Sequence, residues 1–428
     1  MTHISSLLVR AVIFAITFMH VSNIGNYFQS LRIGYFLWHF WAVGIAVCLL
    51  LVVLSGAFFK LTKFSLPYIA WSALFLVVCL LSLFFVDNGA IAVDDFIIYC
   101  WFFGSSLALV FLVRSESDVR ACGLGIVCAI LVLAGLSIME FIDPDFQVIV
   151  DRFFADTVRV GEANRSGAFY ENSNDNGIAM VLGMFIGQFF LPVRLRFLFF
   201  LFVGFAVLGT VSRTAISIWA AMVIVSMLFG YGATSRPLRF VGLSLIGFAG
   251  FLLVAGEIPG LLAEAGLSDV LSPDMSRRLS GNFFEQEDGS TVARVEVAQE
   301  AWRAFVANPL SGIGLGASDF LGGEIGTHNQ HLKIASELGV LGLIVYAALF
   351  LVALSSGSLI ALMFLFFYAV IGFTNHGMMN YTVYGVLIPM AVLFLPELHR
   401  AETEKKRPSR RRRRKRRSAS SAERELSA

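Results

Sequence analysis

Twelve apolar stretches constrain the fold of this chain more than any other feature of its sequence. A helix that crosses about 30 Å of hydrocarbon needs roughly 17 to 25 mostly apolar residues. The chain of 428 residues is 57% hydrophobic and only 14% charged, which lies outside the usual range of soluble proteins. We therefore predict an all-α polytopic integral membrane protein with about 12 transmembrane helices. The apolar stretches lie near residues 7–23, 34–58, 65–86, 91–113, 121–141, 177–193, 197–211, 214–231, 238–255, 337–355, 357–374 and 381–397.

The positions of lysine and arginine predict which side of the membrane each connection faces. These residues mark the cytoplasmic side when they lie in short loops. Twelve spans place every charged alternate connection on the same side as the basic tail at 410–417. Both termini are then cytoplasmic, while the segments 143–176 and 256–330 face outward, into the periplasm if the organism is Gram-negative. The short connections that agree carry Lys60, Lys63, Arg114, Arg120, Arg194, Arg196, Arg236 and Arg239.

The same pattern divides the chain into four parts. They are transmembrane helices 1–9 in residues 1–255, a large periplasmic loop with short helices in 256–330, transmembrane helices 10–12 in 331–398, and a basic cytoplasmic tail in 399–428. The positive charge of the tail predicts a disordered segment near anionic lipid. Ser212-Arg213, between the seventh and eighth stretches, is either a turn between two spans or a break inside one long apolar stretch.

Several arginines fall on the predicted periplasmic side, against the usual charge distribution. Arg213 is the sharpest case, because it lies between two apolar stretches, where an unpaired charge costs at least about 2.5 kcal/mol. A guanidinium group binds phosphate oxygens in a bidentate geometry, so a pyrophosphate group would offset this cost. The alternative is an interfacial arginine that reaches the lipid headgroups. The other arginines on this side are Arg152, Arg159, Arg165, Arg277, Arg278, Arg294 and Arg303.

The second half of the long outer segment has a helical pattern of its own. Ser290 is a candidate N-cap for a helix from about 291 to 307, Arg294 lies in its first turn, and Asn308-Pro309 ends it. The glycines at 312–316 then predict a flexible connection that folds back onto the membrane. They do not form a nucleotide-binding motif, because no strand precedes them.

His328 follows this connection and precedes an apolar stretch, so it is predicted to lie at the mouth of a membrane helix. Its ordinary pKa near neutrality suits removal of a proton from a sugar hydroxyl. Two other interpretations are a histidine buried in the core and a metal pair with His331, although no further ligand cluster is evident. Glu337 either orients neighbouring groups or caps a helix start. Asp94, Asp95 and Glu140 are assigned to the membrane interface.

Three ordered motifs resemble the O-antigen ligase/polymerase superfamily of bacterial membrane glycosyltransferases. A looser match is Arg165-Ser166-Gly167-Ala168-Phe169, followed by Asn172 and Asn174. The three motifs are Val211-Ser212-Arg213-Thr214-Ala215, then Ala293-Arg294 through Trp302 to Asn308-Pro309-Leu310-Ser311-Gly312-Ile313-Gly314, then His328-Asn329 through Leu332 to Glu337-Leu338-Gly339 and Gly342.

The resemblance implies transfer of a glycan from undecaprenyl pyrophosphate to an acceptor hydroxyl, with inversion and without a metal or another cofactor. It implies that Arg213 and Arg294 hold the pyrophosphate and that His328 orients or deprotonates the acceptor. Arg278 is a second candidate for the loop arginine. The remaining substrate-binding candidates are Arg165, Asn329 and Glu337. Membrane lipids are the other expected partners, and no nucleic acid is expected.

The acceptor separates the enzymatic alternatives. Lipid A-core would make the chain an O-antigen ligase, another carrier-linked glycan would make it a polysaccharide polymerase, and a protein acceptor would make it an oligosaccharyltransferase. A transporter or flippase is the alternative from another class, since twelve spans with both termini inside is a common transporter plan. The two halves show no evident internal repeat of the kind that many transporters have.

Overall fold

The computed structural model describes residues 3–25, 65–85, 89–143, 146, 165–170, 172–231, 264, 289–321 and 326–400. The regular structure within these ranges is helical, and no strand occurs in them. The helices are α1 His3–Ser22, α2 Ser65–Ser82, α3 Gly89–Leu112, α4 Glu116–Ile142, α5 Ser173–Gly187, α6 Val193–Gly209, α7 Arg213–Leu228, α8 Gly289–Ala307, α9 Gln330–Ser356, α10 Leu359–Gly372 and α11 Thr382–Pro389. A π-helical turn at Met390–Phe394 continues α11 toward Arg400.

The described residues are all-helical and consistent with a membrane protein, as predicted, whereas the number of spans stays a prediction. Ten of the twelve predicted stretches overlap a described helix, and the stretches 34–58 and 238–255 lie outside the described residues. Within the described part, five helices are long and apolar enough to cross a membrane. They are Ser65–Phe85, Ile91–Leu112, Glu116–Ile142, Gln330–Ser356 and Thr382–Arg400.

Polar residues mark where several of these helices begin. Ser115 and Asp118 form a capping box at the start of α4, in which each side chain accepts a hydrogen bond from the backbone of the other residue. Asn172, Ser212 and Ser358 cap α5, α7 and α10 by accepting from a backbone N–H of the first turn. These caps satisfy donors that the helices themselves leave without a partner. The sequence therefore sets the helix starts locally, by single side chains.

The break at Ser212-Arg213 is a tight turn between two antiparallel helices. α6 ends at Gly209 and α7 begins at Arg213. The Trp219 indole of α7 donates a hydrogen bond to the Phe200 carbonyl of α6, at 3.1 Å, and its ring lies against Gly204. The break therefore separates two helices, as the first of the two sequence interpretations predicts.

The connections gather at two ends of the bundle. We call one the Arg194 end, because Arg194 lies there in the first turn of α6. The nearby Phe190 ring packs on Gly123 of α4. At the same end, Arg10 of α1 lies 3.5 Å from Asp118, and the His399 ring packs edge-on against Phe189. The charged connections predicted to be cytoplasmic, where they are described, lie at this end. Its assignment to the cytoplasm, like the four-part division of the chain, stays a prediction.

Candidate active site

Four helix N-termini meet at the opposite end, which we call the His328 end. The start of α5 packs on the start of α7, since a Cβ on Gly177 would lie only 2.7 Å from that of Ala215. The connection before α11 is bonded to the first turns of both α5 and α9. Each helix N-terminus carries a partial positive charge and backbone N–H donors. The four together bring partial positive charges and backbone N–H donors to this end.

Arg213 occupies the first turn of α7, where it is partly buried. The turn that holds it is shaped by its own residues. Val211 has a φ of 51°, and the Thr210 hydroxyl donates to the Val207 carbonyl and accepts from the Ser212 amide. Positive φ is uncommon for a β-branched residue, so the surrounding bonds hold the backbone in a strained conformation. The guanidinium is therefore presented from a fixed turn at the His328 end.

Arg165, a predicted substrate-binding residue, braces this turn. Its side chain is buried, its Nε donates to the Thr210 carbonyl at 3.1 Å, and its Nη2 donates to Asn174 Oδ1 at 2.9 Å. The adjacent Ser166 amide donates to the Gly209 carbonyl. Arg165 thus connects the turn before Arg213 with the first turn of α5. Its structural contribution is visible, and a contact with substrate stays a prediction.

Asp175 continues this connection to the helix that follows His328. Its two carboxylate oxygens accept from Asn375 Nδ2 at 2.5 Å and from the Tyr381 hydroxyl at 2.9 Å. The Asn375 carbonyl in turn accepts from the Gln330 amide at 3.0 Å. A chain of hydrogen bonds therefore runs from the turn of Arg213, through the start of α5, to the start of α9. Residues separated by more than a hundred positions are fixed relative to each other.

His328 is partly buried immediately before α9, with a φ of 46°. Its imidazole lies against that of His376, with ring centroids 5.0 Å apart and planes at 88°. Burial lowers the pKa of His328, and the charge of Arg294 lowers it further. The imidazole is therefore neutral at neutral pH, the form that accepts a proton. Arg294 is therefore close enough to His328 to disfavour a second positive charge on the ring.

Arg294 is exposed on α8, which packs against α9 and carries the buried Val297 and Ala301. The predicted helix of the outer segment is confirmed, and it ends before Asn308. It begins at Gly289, two residues earlier than predicted, so Ser290 lies inside the helix and Arg294 lies in its second turn. Arg278, the other candidate for the loop arginine, lies outside the described residues.

The residues that flank His328 have other tasks. The Asn329 side chain caps α9 by accepting from the amides of His331 and Leu332. The His331 ring turns into the helix packing, where its Nε2 lies 2.9 Å from the Ala369 carbonyl and the ring contacts Phe373. His331 is therefore the core histidine of the pair, and its ring nitrogen is engaged away from His328. The geometry does not favour a metal site formed by the two.

Of the two interpretations of Glu337, the one that makes it the cap of a helix start was wrong. α9 begins seven residues earlier, because Asn329 provides the cap, so Glu337 lies two turns inside the helix and is fully buried. There it is 3.6 Å from the ammonium group of Lys333 and accepts from the Ser318 hydroxyl at 2.6 Å. These contacts show an internal role for Glu337. A direct contact with substrate stays a prediction.

Lys333 is the charged residue that the sequence interpretation missed. Its ammonium group is fully buried and lies 2.9 Å from both Asp319 carboxylate oxygens. It also forms ion pairs with Asp95 Oδ2, at 3.5 Å, and with Glu337. We call these four residues the Lys333 cluster. Asp95, assigned to the interface from the sequence, reaches into it from α3. The three carboxylates are close enough together to hold a metal ion, but the ammonium group already supplies the positive charge at their centre.

The glycine-rich connection docks on a break in α9, beside this cluster. Gly339 interrupts the helix with a φ of 65° and a ψ of −162°, which frees the carbonyls of Ser336 and Glu337. They accept from the amides of Ile313 and Gly314, at 2.8 and 3.1 Å. A Cβ on Gly339 would lie 2.3 Å from the Leu310 carbonyl oxygen, so only glycine fits. The predicted return of the connection is confirmed, and its partner is α9.

Comparison with known proteins agrees with the motifs. Residues 197–347 match a family model described as O-antigen ligase. The matched segment runs from α6 to the middle of α9, so it contains Arg213, Arg294, His328 and the Lys333–Glu337 pair. No curated protein matches the chain significantly. The resemblance drawn from the ordered motifs is therefore confirmed at the level of the superfamily.

Proposed function

We propose, from the match of residues 197–347 to the O-antigen ligase family model, that this chain transfers a glycan from undecaprenyl pyrophosphate to an acceptor hydroxyl. Lipid A-core is the preferred acceptor, and the periplasmic face of the inner membrane is the preferred location. The observation that carries the proposal is the gathering of four helix N-termini, the turn of Arg213 and the histidine before α9 at one end of the bundle. Such an end suits a diphosphate group next to a proton acceptor.

The reaction assigns a separate task to each group. Arg213 and Arg294 bind the pyrophosphate, which leaves with the electron pair of the broken bond between sugar carbon and phosphate oxygen. The acceptor oxygen attacks the same carbon from the opposite face, so the configuration inverts. His328 takes the proton of the acceptor hydroxyl. The pyrophosphate is a good leaving group, and its charge is stabilised by arginines and helix N-termini, so no metal or other cofactor is required.

The geometry of His328 supports its assignment as the proton acceptor. Its lowered pKa keeps the ring neutral, and the same arginine that lowers the pKa is a candidate ligand of the donor pyrophosphate. Binding of an anionic donor would partly neutralise that arginine. The proton affinity of His328 would then rise when the donor is in place, which favours proton transfer in the ternary complex.

Reconstituted transfer tests the proposal. Purified protein in lipid nanodiscs receives an undecaprenyl-pyrophosphate-linked glycan and lipid A-core, and the product is measured by mass spectrometry with and without a chelator. We expect product in both conditions, and a loss of about 10²- to 10⁴-fold in rate for His328→Ala. His399→Ala, at the Arg194 end, is the matched control and should keep the rate. Unchanged transfer by His328→Ala would contradict its role.

Changing the acceptor separates the ligase from the polymerase. With lipid A-core absent, a product that contains two joined repeats on one carrier would identify a polymerase. With both acceptors present, a product on lipid A-core identifies a ligase. Movement of the carrier-linked glycan across the membrane without any new glycosidic bond would contradict the enzymatic proposal and favour a transporter.

A further inference from the structure

His376 is the second imidazole at the His328 end. It lies in the connection between α10 and α11, and the sequence interpretation gave it no role. Its ring meets that of His328 edge to face, with centroids 5.0 Å apart. An edge-to-face contact of two aromatic rings restricts the orientation of both. The orientation of His328 therefore depends in part on His376.

The backbone next to His376 is held by several bonds. Asn375 donates through its side chain to Asp175, accepts at Oδ1 from the Gly377 amide at 2.7 Å, and accepts at its carbonyl from the Gln330 amide. The Met378 amide donates to Gln330 Oε1 at 3.1 Å. The residues on both sides of His376 are thus tied to the first turns of α5 and α9. The imidazole is presented from a rigid position.

The two ring nitrogens of His376 have different surroundings. A Cβ added to Gly326 would lie 2.8 Å from Nε2, so the backbone of Gly326, with a φ of 66°, closes that edge of the ring. Nδ1 is buried and, within the described residues, has no hydrogen-bond partner. A buried polar atom without a partner costs roughly 1 to 3 kcal/mol. In the proposed site, a hydroxyl group of the substrate would supply a hydrogen-bond partner for Nδ1.

We propose that His376 is a second acceptor-binding residue of this site, beside His328, and that its Nδ1 forms a hydrogen bond with a hydroxyl group of the sugar acceptor. The inference rests on the proposed function and deepens it by assigning a recognition residue for the acceptor. Burial, together with the charges of Lys333 and His328, lowers the pKa of His376 to about 4, and Asp319 acts in the opposite direction. The neutral imidazole that results can donate or accept at Nδ1, according to its tautomer.

Four substitutions at His376 distinguish recognition from packing. His376→Asn places an amide near the position of Nδ1, His376→Gln places one near Nε2, His376→Phe keeps the ring without nitrogen, and His376→Ala removes the side chain. We expect the KM for acceptor to rise about tenfold for Phe, Gln and Ala, in line with the loss of one hydrogen bond. His376→Asn should stay within about threefold of the wild type. The KM for donor should not change in any variant.

The opposite results would overturn the proposal. A His376→Phe variant with wild-type KM for acceptor would show that only ring packing matters. Equal losses in all four variants, accompanied by a lower thermal midpoint, would show a structural role. Binding of lipid A-core without donor, measured by microscale thermophoresis, gives a readout independent of transfer. If the wild type binds lipid A-core but forms no product, the proposed function fails, while the binding order of the four variants still decides the role of His376.

Discussion

His328 and Lys333 lie five residues apart, one just before α9 and the other in its first turn, yet their electrostatic surroundings differ. His328 is only partly buried, it lies near several helix N-termini, and both burial and the charge of Arg294 lower its pKa. Lys333 is closed off, and three carboxylates surround its single ammonium group. The first arrangement suits an anionic substrate, whereas the second is satisfied by protein groups. A buried charge therefore indicates a substrate site only when no protein group of opposite charge compensates it.

The largest expected effect is on the stability of the Lys333 cluster. Lys333→Met removes the only ammonium group among the described members of the cluster, and leaves three carboxylates crowded in a buried place. We expect a loss of about 3 to 5 kcal/mol in unfolding free energy, or failure to fold, measured by thermal and denaturant unfolding in detergent.

Two variants serve as controls for that loss. Lys333→Arg keeps the charge and should retain part of the stability. Adding Asp319→Asn and Glu337→Gln to Lys333→Met removes the excess negative charge and should recover part of the loss. If Lys333→Met unfolds like the wild type, the ion pairs do not stabilise the fold.

The next largest effect is on the transfer rate and tests the His328 end. Arg213→Ala removes a proposed pyrophosphate ligand, so the transfer rate should fall about 10²- to 10³-fold. Its effect on unfolding should be smaller than that of Lys333→Met. Arg194→Ala, an exposed arginine at the opposite end, is the matched control and should keep both rate and stability. A wild-type rate for Arg213→Ala would exclude this arginine from donor binding.

A smaller effect decides between two roles of Asn329, which was predicted to bind substrate and is seen to cap α9. Asn329→Ala should cost about 1 kcal/mol in unfolding free energy because the cap is lost. Asn329→Asp keeps the capping oxygen but not the amide donor, so it should keep the stability. Transfer assays on Asn329→Asp then complete the comparison. A stable but inactive Asp variant would support direct substrate binding.

The smallest effect concerns pH. Burial and Arg294 lower the pKa of His328, so its ring stays neutral to a lower pH than the ring of an ordinary histidine. The transfer rate should therefore be maintained down to a lower pH than an ordinary histidine would allow. Arg294→Ala removes one cause of the lowered pKa. The acid limb of the rate profile should therefore move to higher pH. Arg303→Ala, on the same helix, is the control and should leave the limb in place. An unmoved limb in Arg294→Ala would separate the arginine from His328.

The fold was largely predictable because its signals are local. Apolar stretches located ten described helices, and Asn308-Pro309 correctly ended α8. The start of α9 was placed too late, since Glu337 looked like a polar boundary of an apolar stretch. The helix in fact begins at Gln330 and encloses both Lys333 and Glu337. A buried ion pair makes polar residues compatible with a helix interior, and hydropathy alone does not detect such pairing.

The candidate site was predictable only in part, because its members come from distant segments. Arg213, Arg294 and His328 stood out from the sequence by their predicted position relative to the membrane. His376 did not, since a histidine in a short connection has no distinguishing pattern. Its importance depends on the contact with His328 and on bonds that reach from Asn375 to Asp175, 200 residues away.

The sequence by itself determined the helical class, the break before Arg213, and the resemblance to the O-antigen ligase family, because apolar length, caps and ordered motifs are properties of short segments. The tertiary structure decided which charges meet. It paired Lys333 with Asp95, Asp319 and Glu337. It also bonded Arg165 to the turn before Arg213 and placed His376 against His328. Electrostatic and hydrogen-bond energies depend on distance in space, and helix packing alone fixes those distances.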